Sequence, residues 1–219
     1  MFVVIDWIDG SGKWTQVKLL EENLKKIGKT VKVLDYPRYW EKSAFFVEKY
    51  LNWDYGKEVT AKQASMFYAM DRFDDSFNLR SDFDSYDYII SNRYVSANMI
   101  HQAGKIQDKK ERYEFLDWLE ELEYGIFNIP RPDKTIFLNV SPTMSQKLVL
   151  MKEDREYLKW WKKMDIHESD KQHLINAHTS AMDVVNRYSD WIKIDCENIN
   201  GNMRSIEKIN EELMKEVVE

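Results

Sequence analysis

Continuous apolar runs alternate with amphipathic segments along the chain, and this alternation predicts its secondary structure. The run at 2–5, Phe-Val-Val-Ile, contains aromatic and β-branched residues, a composition typical of a strand buried on both faces. Four further segments rich in β-branched and aromatic residues also predict strands, at 31–34, 86–91, 135–140 and 191–195. Between the runs, apolar residues recur at helical spacing, as Val17, Leu20 and Leu24 do. This order predicts an α/β fold with a parallel five-stranded sheet and helices on both faces.

The helical pattern is strongest in five segments, at 43–51, 60–79, 111–124, about 169–188 and about 204–218. In the third of these, Phe115, Trp118, Leu119 and Leu122 share one face, which we expect to join the core. A highly charged stretch at 152–163 interrupts the pattern before the fourth. We expect it to stay outside the core.

The stretch at 6–16 nearly matches a nucleotide phosphate-binding loop. It lies between the first strand and the first helix, and it contains Gly12-Lys13. In the pattern G-x-x-x-x-G-K-[ST], backbone amides hold phosphate oxygens and the lysine reaches the outer phosphates. The pattern requires glycine at position 7 and serine or threonine at position 14, but Trp7 and Trp14 stand there. We expect each indole to crowd a bound nucleotide.

Composition limits the possible partners and compartment. The chain has 219 residues, 43% of them apolar, which suits one domain with or without an insert. A net charge of −6 argues against a nucleic acid polymer or an anionic membrane as the main partner. A single cysteine, Cys196, excludes an intrachain disulfide. Since the chain also has neither a basic leader nor a long apolar segment, we expect a cytoplasmic protein.

Two arginines directly follow predicted strands, at the edge of the sheet where ligands of open α/β folds bind. Arg38 follows the second strand and Arg93 follows the third. Both are candidates for anion binding, with a solvated loop arginine as the alternative for Arg38.

Five ordered segments resemble those of the thymidylate kinase family. They are the loop at 6–16, Tyr-Pro-Arg-Tyr at 36–39, residues 68–73 with Asp71-Arg72, Asn-Arg-Tyr at 92–94, and the run that begins Pro132-Asp133. Asp-Ile-His-Glu at 165–168 is similar to the end of the lid in some members. The resemblance implies a single nucleoside monophosphate kinase domain over 1–219, with a P-loop NTPase-like fold and a helical lid at about 150–168.

The resemblance implies that the chain moves a phosphoryl group from ATP to dTMP, giving dTDP and ADP. It places ATP at Asp9, Gly10, Ser11, Gly12, Lys13, Trp14 and Thr15. It places dTMP at Asp9, Tyr36, Pro37, Arg38, Tyr39, Tyr68, Arg72, Arg93, Asn98 and His101. The family more often has tyrosine or phenylalanine at the last of these positions. The catalytic residues that it implies are Lys13, Asp9, Arg93 and Arg155.

Within this set, the resemblance implies that Arg38 and Arg93 clamp the dTMP phosphate, while Tyr68 stacks on thymine and Arg72 binds its carbonyl edge. Asp9 would approach the sugar 3′-hydroxyl. Residues 8–11 contain no arginine, and members of this kind supply one from the lid, for which Arg155 is the candidate.

Mg²⁺ is the cofactor that the resemblance implies. Trp14 has no hydroxyl, and Asn92 replaces the acid of the family. Thr15, or binding through water, is the substitute that we expect.

Six of the eight tryptophans stand where the family has glycine, at positions 7, 14, 40, 53, 160 and 161. The chain has only seven glycines, well below the usual proportion. One hypothesis is that the source organism reads UGA as glycine and that the codon has been translated here as tryptophan. The alternative is a naturally diverged, inactive homologue.

Another nucleoside monophosphate kinase is the alternative enzyme, and a nucleotide-binding protein without turnover is the alternative of a different class. Family members are commonly homodimers, and the Phe- and Met-rich segments at 43–70 and 94–100 are the candidates for such an interface.

Overall fold

The computed structural model describes residues 1–8, 13–56, 58–148 and 171–218. The strands are β1 (Phe2–Asp6), β2 (Val31–Asp35), β3 (Tyr88–Asn92), β4 (Lys134–Asn139) and β5 (Trp191–Asp195). The helices of this part are α1 (Lys13–Lys26), α2 (Phe45–Leu51), α3 (Ala61–Asp82), α4 (Lys109–Glu120), α5 (142–148), α6 (Lys171–Arg187) and α7 (Ile206–Val218). Shorter helical turns occupy 42–44, 95–105 and 121–126. The predicted lid at 150–168 lies outside the described residues.

The five strands form one parallel sheet in the order β2-β3-β1-β4-β5. The central strand β1 is buried along its whole length, as its apolar run predicts. Ile5 of β1 stands opposite Asn92 of β3, so the two strands end side by side. The chain leaves β1 toward β2 and leaves β3 toward β4, in opposite directions. Such a reversal opens a crevice beyond the carboxyl ends of the strands.

Helices cover both faces of the sheet, and the core lies between the layers. A polar contact fixes α1 to α7: the Asn210 amide donates to the backbone oxygen of Gln16 at 3.1 Å, and Gln16 Nε2 donates to the Ile206 oxygen at 3.0 Å. A second polar contact joins α6 to the turns at 95–105, where Ser180 Oγ donates to the Met99 backbone oxygen at 2.7 Å. These contacts hold the elements around the crevice.

The predicted α/β fold with five parallel strands is confirmed. The third helical segment differs from the prediction of 111–124, because α4 begins two residues earlier, where the Asp108 side chain accepts from the Glu111 N–H at 2.9 Å. It ends at Glu120, and a wider helical turn follows at 121–126. No helix in the described part of the chain is long and apolar enough to cross a membrane.

Candidate nucleotide site

A cleft opens at the carboxyl edge of the sheet, between the loops that follow β2 and β3 and one face of α3. It encloses about 500 Å³, including space open to solvent. Its lining residues are Tyr36, Pro37, Tyr39, Leu51, Tyr68, Arg72, Arg93, Tyr94, Ala97, Asn98, His101 and Gln102. The cleft therefore brings together every residue predicted to bind dTMP except Arg38, which is not among its lining residues, and Asp9, which lies outside the described residues.

Arg93 enters the cleft from a strained backbone. Its φ of 67° lies in the left-handed region, where residues other than glycine are uncommon. Two hydrogen bonds hold it there: its N–H donates to the Ile5 oxygen at 3.1 Å, and Ser91 Oγ donates to its carbonyl at 2.6 Å. Strain of this kind collects at functional sites, where the surrounding structure maintains it.

Arg72 lies on α3 and is almost fully buried, at 2% exposure. Glu123, which is not exposed, accepts from Arg72 Nε at 2.7 Å and from Nη2. Arg72 Nη1 donates to the Tyr94 backbone oxygen at 3.2 Å. Burial by itself lowers the pKa of Arg72, but the attraction and hydrogen bonds of Glu123 outweigh burial and raise the pKa above its ordinary value.

Asn98 and His101 form the part of the wall contributed by the turns at 95–105. Asn98 Nδ2 donates to the Ser65 backbone oxygen at 3.2 Å and lies 3.5 Å from a carboxylate oxygen of Glu123. His101 Nδ1 lies 3.3 Å from Nε2 of His173, and the two imidazole rings are stacked with their planes 12° apart. His101 thus connects the cleft to the first turn of α6.

Aromatic side chains form the remaining wall. Tyr36 packs against Tyr94 with ring centroids 5.5 Å apart, and its hydroxyl donates to Asp75 at 2.7 Å. Burial and the carboxylate of Asp75 raise the pKa of Tyr36, so the phenol stays protonated. Tyr68 lies edge-on to Tyr50, with centroids 6.3 Å apart. These rings give the cleft flat apolar surfaces suited to a nucleobase.

Arg38 lies instead in a cluster of carboxylates on α3. Its guanidinium donates to Asp71 at 3.1 Å, to Asp75 at 2.8 Å and to Asp74 at 2.6 Å, and also to Ser43 Oγ at 2.9 Å. Although burial lowers the pKa of Arg38, these acidic partners raise it above its ordinary value. Arg38 therefore ties the loop after β2 to α3, and its predicted contact with phosphate requires an exchange of partners.

The predicted ATP loop is only partly described. Residues 9–12 lie outside the described part of the chain, and Lys13 begins α1. Trp7 is fully buried in the core, whereas Trp14 is 43% exposed, with the Lys18 ammonium 5.3 Å from its ring centroid. Thr15 is exposed on the same helical turn. The candidate lid arginine, Arg155, also lies outside the described residues.

The backbone at one tryptophan bears on the glycine hypothesis. Trp53 has a φ of 66°, a conformation that glycine adopts freely and that costs a bulky side chain energy. Trp40, at 70% exposure, does not contribute to the core. Positions 160 and 161 lie outside the described residues.

Glu123 is the main residue of the site that sequence reasoning misses. It follows Leu119 by four positions, so it extends the apolar face of the predicted helix at 111–124. A carboxylate on an apolar helix face indicates a buried ion pair, because a buried charge requires a partner. The partner itself, Arg72, is 51 residues away along the chain.

Comparison with known proteins identifies the family. The thymidylate kinase family model matches residues 5–199. The chain belongs to the thymidylate kinase family. It is 26% identical over 216 residues to the thymidylate kinase of Plasmodium falciparum (isolate 3D7), covering 99% of this chain and 89% of the relative. It is also 26% identical over 147 residues to that of Mycobacterium tuberculosis (strain ATCC 25618 / H37Rv), covering 66% and 68% respectively.

A solved structure supports the fold assignment. The thymidylate kinase of Candida albicans superposes with a TM-score of 0.74 at 18% identity, covering 99% of this chain and 90% of that one. Members of the thymidylate kinase family use ATP as phosphoryl donor, and the cleft lies at the carboxyl edge of the sheet, where open α/β folds bind their ligands.

Proposed function

We propose that this chain transfers the γ-phosphoryl group of ATP to dTMP, giving dTDP and ADP, and that it does so as a single domain over 1–219. One observation carries the assignment of the acceptor site. The cleft collects an aromatic ring for the base, Tyr68, a donor for its carbonyl edge, Arg72, and a cation for the phosphate, Arg93. Family membership supports the reaction.

The residue roles follow from what phosphoryl transfer requires, which is positioning and neutralisation of charge rather than covalent chemistry. Arg93 binds the dTMP phosphate through its planar fork. Lys13 and the amides of 9–12 hold the ATP phosphates at the start of α1. Asp9 approaches the sugar, and Arg155 in the proposed lid at 150–168 stabilises the transferring group. Arg38 joins the phosphate only by leaving part of its carboxylate cluster.

Mg²⁺ is part of the proposal, and the oxygen donors near the phosphate loop suit it. Asn92 Oδ1 is buried at the end of β3 without a hydrogen-bond partner among the described residues, and the Thr15 hydroxyl is exposed on the first turn of α1. Carbonyl and hydroxyl oxygens suit Mg²⁺, which commonly keeps several of its waters. When bound, the ion neutralises charge between the ATP phosphates. Asn92 and Thr15 would hold its hydration shell.

The proposed homodimer would use an apolar stripe on α3. Met66, Met70 and Phe77 lie at near-helical spacing and are 47%, 48% and 62% exposed. Phe45 and Phe46, at the start of α2, add exposed aromatic surface. Family members are commonly homodimers, so we propose that a second copy of the chain covers this stripe. Sedimentation of the purified protein tests whether it is a dimer. The proposal includes a cytoplasmic location, as expected from the single cysteine.

Catalysis by the tryptophan-containing chain depends on how its six tryptophans affect nucleotide binding. The left-handed backbone at Trp53 and the exposure of Trp40 support a glycine origin, whereas Trp7 is packed in the core. The reading of UGA as glycine is tested in the gene: UGG codons at these six positions would exclude it. A nucleotide-binding protein without turnover is the alternative for the chain as written.

The experiment compares the chain with a six-glycine variant, in which glycine replaces the tryptophans at 7, 14, 40, 53, 160 and 161. ADP release is measured with ATP, Mg²⁺ and dTMP. We expect the six-glycine variant to exceed the chain as written by orders of magnitude. Equal rates would refute crowding by the indoles, and no turnover in either would refute the kinase assignment.

A further inference from the structure

We infer that Glu123 is a positioning residue that sets the base preference of the cleft, although it is not among the residues that line it. The inference rests on the proposed function, because it concerns how the same cleft distinguishes thymine from cytosine. It starts from the observation that one buried carboxylate contacts two side chains of the base-binding wall, Arg72 and Asn98.

The first contact fixes a hydrogen-bond donor. The Glu123 carboxylate accepts hydrogen bonds from Nε and Nη2 of Arg72, and the Tyr94 backbone oxygen accepts one from Nη1. A guanidinium carries five N–H groups in a rigid plane, so these contacts leave two of them for a ligand. Arg72 lines the cleft, and Glu123 holds the Nε and Nη2 edge of its guanidinium. The remaining N–H groups can therefore donate to an acceptor on the base, such as a carbonyl oxygen.

The second contact fixes an acceptor. The neighbours of Asn98 Nδ2 are the Ser65 carbonyl, at 3.2 Å, and a Glu123 oxygen, at 3.5 Å. A carbonyl and a carboxylate only accept hydrogen bonds, so the amide NH₂ must face them. Asn98 Oδ1 is consequently left to accept a hydrogen bond from a ligand in the cleft.

Together these contacts produce a donor beside an acceptor. Thymine presents the complementary pair at one edge, the O4 carbonyl next to N3–H. Cytosine presents the reverse, an N4 amino group next to an unprotonated N3. A site built to hydrogen-bond one pattern rejects the other strongly, because its buried groups would be left unpaired. Glu123 and Arg72 are both buried, so removal of either one leaves the charge of the other uncompensated.

Glu123→Gln tests the inference in the full-length chain. The amide NH₂ of glutamine replaces one acceptor and opposes the N–H of Arg72 or the NH₂ of Asn98. Arg72 or Asn98 then loses one of the contacts that hold its orientation, and Asn98 keeps only its contact with the Ser65 carbonyl. We expect the ratio of dTMP to dCMP affinity, measured by calorimetry, to fall by about tenfold or more. Turnover does not enter the measurement. Glu121→Gln, the same change at an exposed position of the same helical turn, is the matched control and leaves the ratio unchanged.

Glu123→Asp provides a second variant, which keeps the buried negative charge but shortens the reach to both partners. Its ratio should also fall by about tenfold. If both variants keep the ratio of the unsubstituted chain, the inference is wrong while the kinase assignment stands. If neither variant folds, N3-methylated dTMP bound to the unsubstituted chain decides: loss of affinity supports the acceptor at Asn98, and equal affinity overturns it. Failure of dTMP itself to bind to the six-glycine variant overturns both proposals.

Discussion

Replacement of Arg93 by glycine and by alanine should separate the function of its side chain from the strain of its backbone. Both variants remove the guanidinium that we propose for the dTMP phosphate. Only glycine also removes the left-handed strain at φ 67°, because alanine keeps a Cβ in that region. We therefore expect the two variants to be equally poor enzymes of unequal stability.

The magnitudes follow from the number of contacts and the backbone angle. A bidentate pair makes two charge-assisted hydrogen bonds of about 1.5–3 kcal/mol each, so its loss lowers kcat/KM by about 10²- to 10⁴-fold. A left-handed residue other than glycine costs about 1 kcal/mol, which corresponds to about 2–4 °C in Tm for a chain of this length. Arg93→Gly should therefore melt above Arg93→Ala by that margin.

Kinetics are measured in the six-glycine variant by coupled ADP release, and Tm by circular dichroism. Arg93→Lys is the control that keeps the charge and the strain but loses the planar fork, so its rate should lie between those of the parent and the alanine variant. Retention of kcat/KM within about tenfold in both Arg93→Gly and Arg93→Ala would refute the phosphate role. Equal melting of the glycine and alanine variants would refute the strain argument.

Three other changes test separate parts of the account. Trp53→Gly should melt about 2–4 °C above Trp53→Ala, since position 53 is left-handed; equal Tm values would contradict this. Arg38→Ala leaves buried carboxylates unpaired and should cost about 3–5 kcal/mol in urea unfolding, whereas Arg131→Ala, at an exposed ion pair, should cost under about 1 kcal/mol. Burial lowers the pKa of Lys105 to about 8, so the unfolded chain binds more protons between about pH 8 and 10.5, and stability gained through Lys105 rises with pH across that window. Lys105→Met should therefore exceed the parent in stability by about 1–3 kcal/mol at pH 7, and the difference should shrink by pH 10.

The sequence predicts the sheet well because its three central strands are mainly apolar and buried, and the two edge strands, β2 and β5, still carry β-branched and aromatic residues. β5 has the predicted bounds of 191–195, and β1 extends the prediction by one residue, Asp6. β3 begins at Tyr88 rather than position 86, because its pairing with β2 starts at Val31 opposite Tyr88. Such register depends on a partner strand and is not a local property of the sequence.

Site residues that belong to a sequence motif can be predicted from the sequence. Contacts between residues far apart along the chain cannot. Tyr68, Arg72, Arg93 and Asn98 are found from the resemblance, and the cleft brings them together. The carboxylate cluster around Arg38 depends on how α3 packs beside the loop after β2, which no local pattern specifies. The ion pair of Glu123 has the same origin, since its partner lies on another helix.

One measurement tests both the base preference of the cleft and the effect of the six tryptophans. Formation of nucleoside diphosphate is followed with ATP and Mg²⁺ in the six-glycine variant, with dTMP, dCMP, dAMP and dGMP as competing acceptors. The account predicts dTDP as the main product, with a kcat/KM for dTMP at least about 100-fold above the others. Preference for another nucleotide, or no turnover with any, would contradict it.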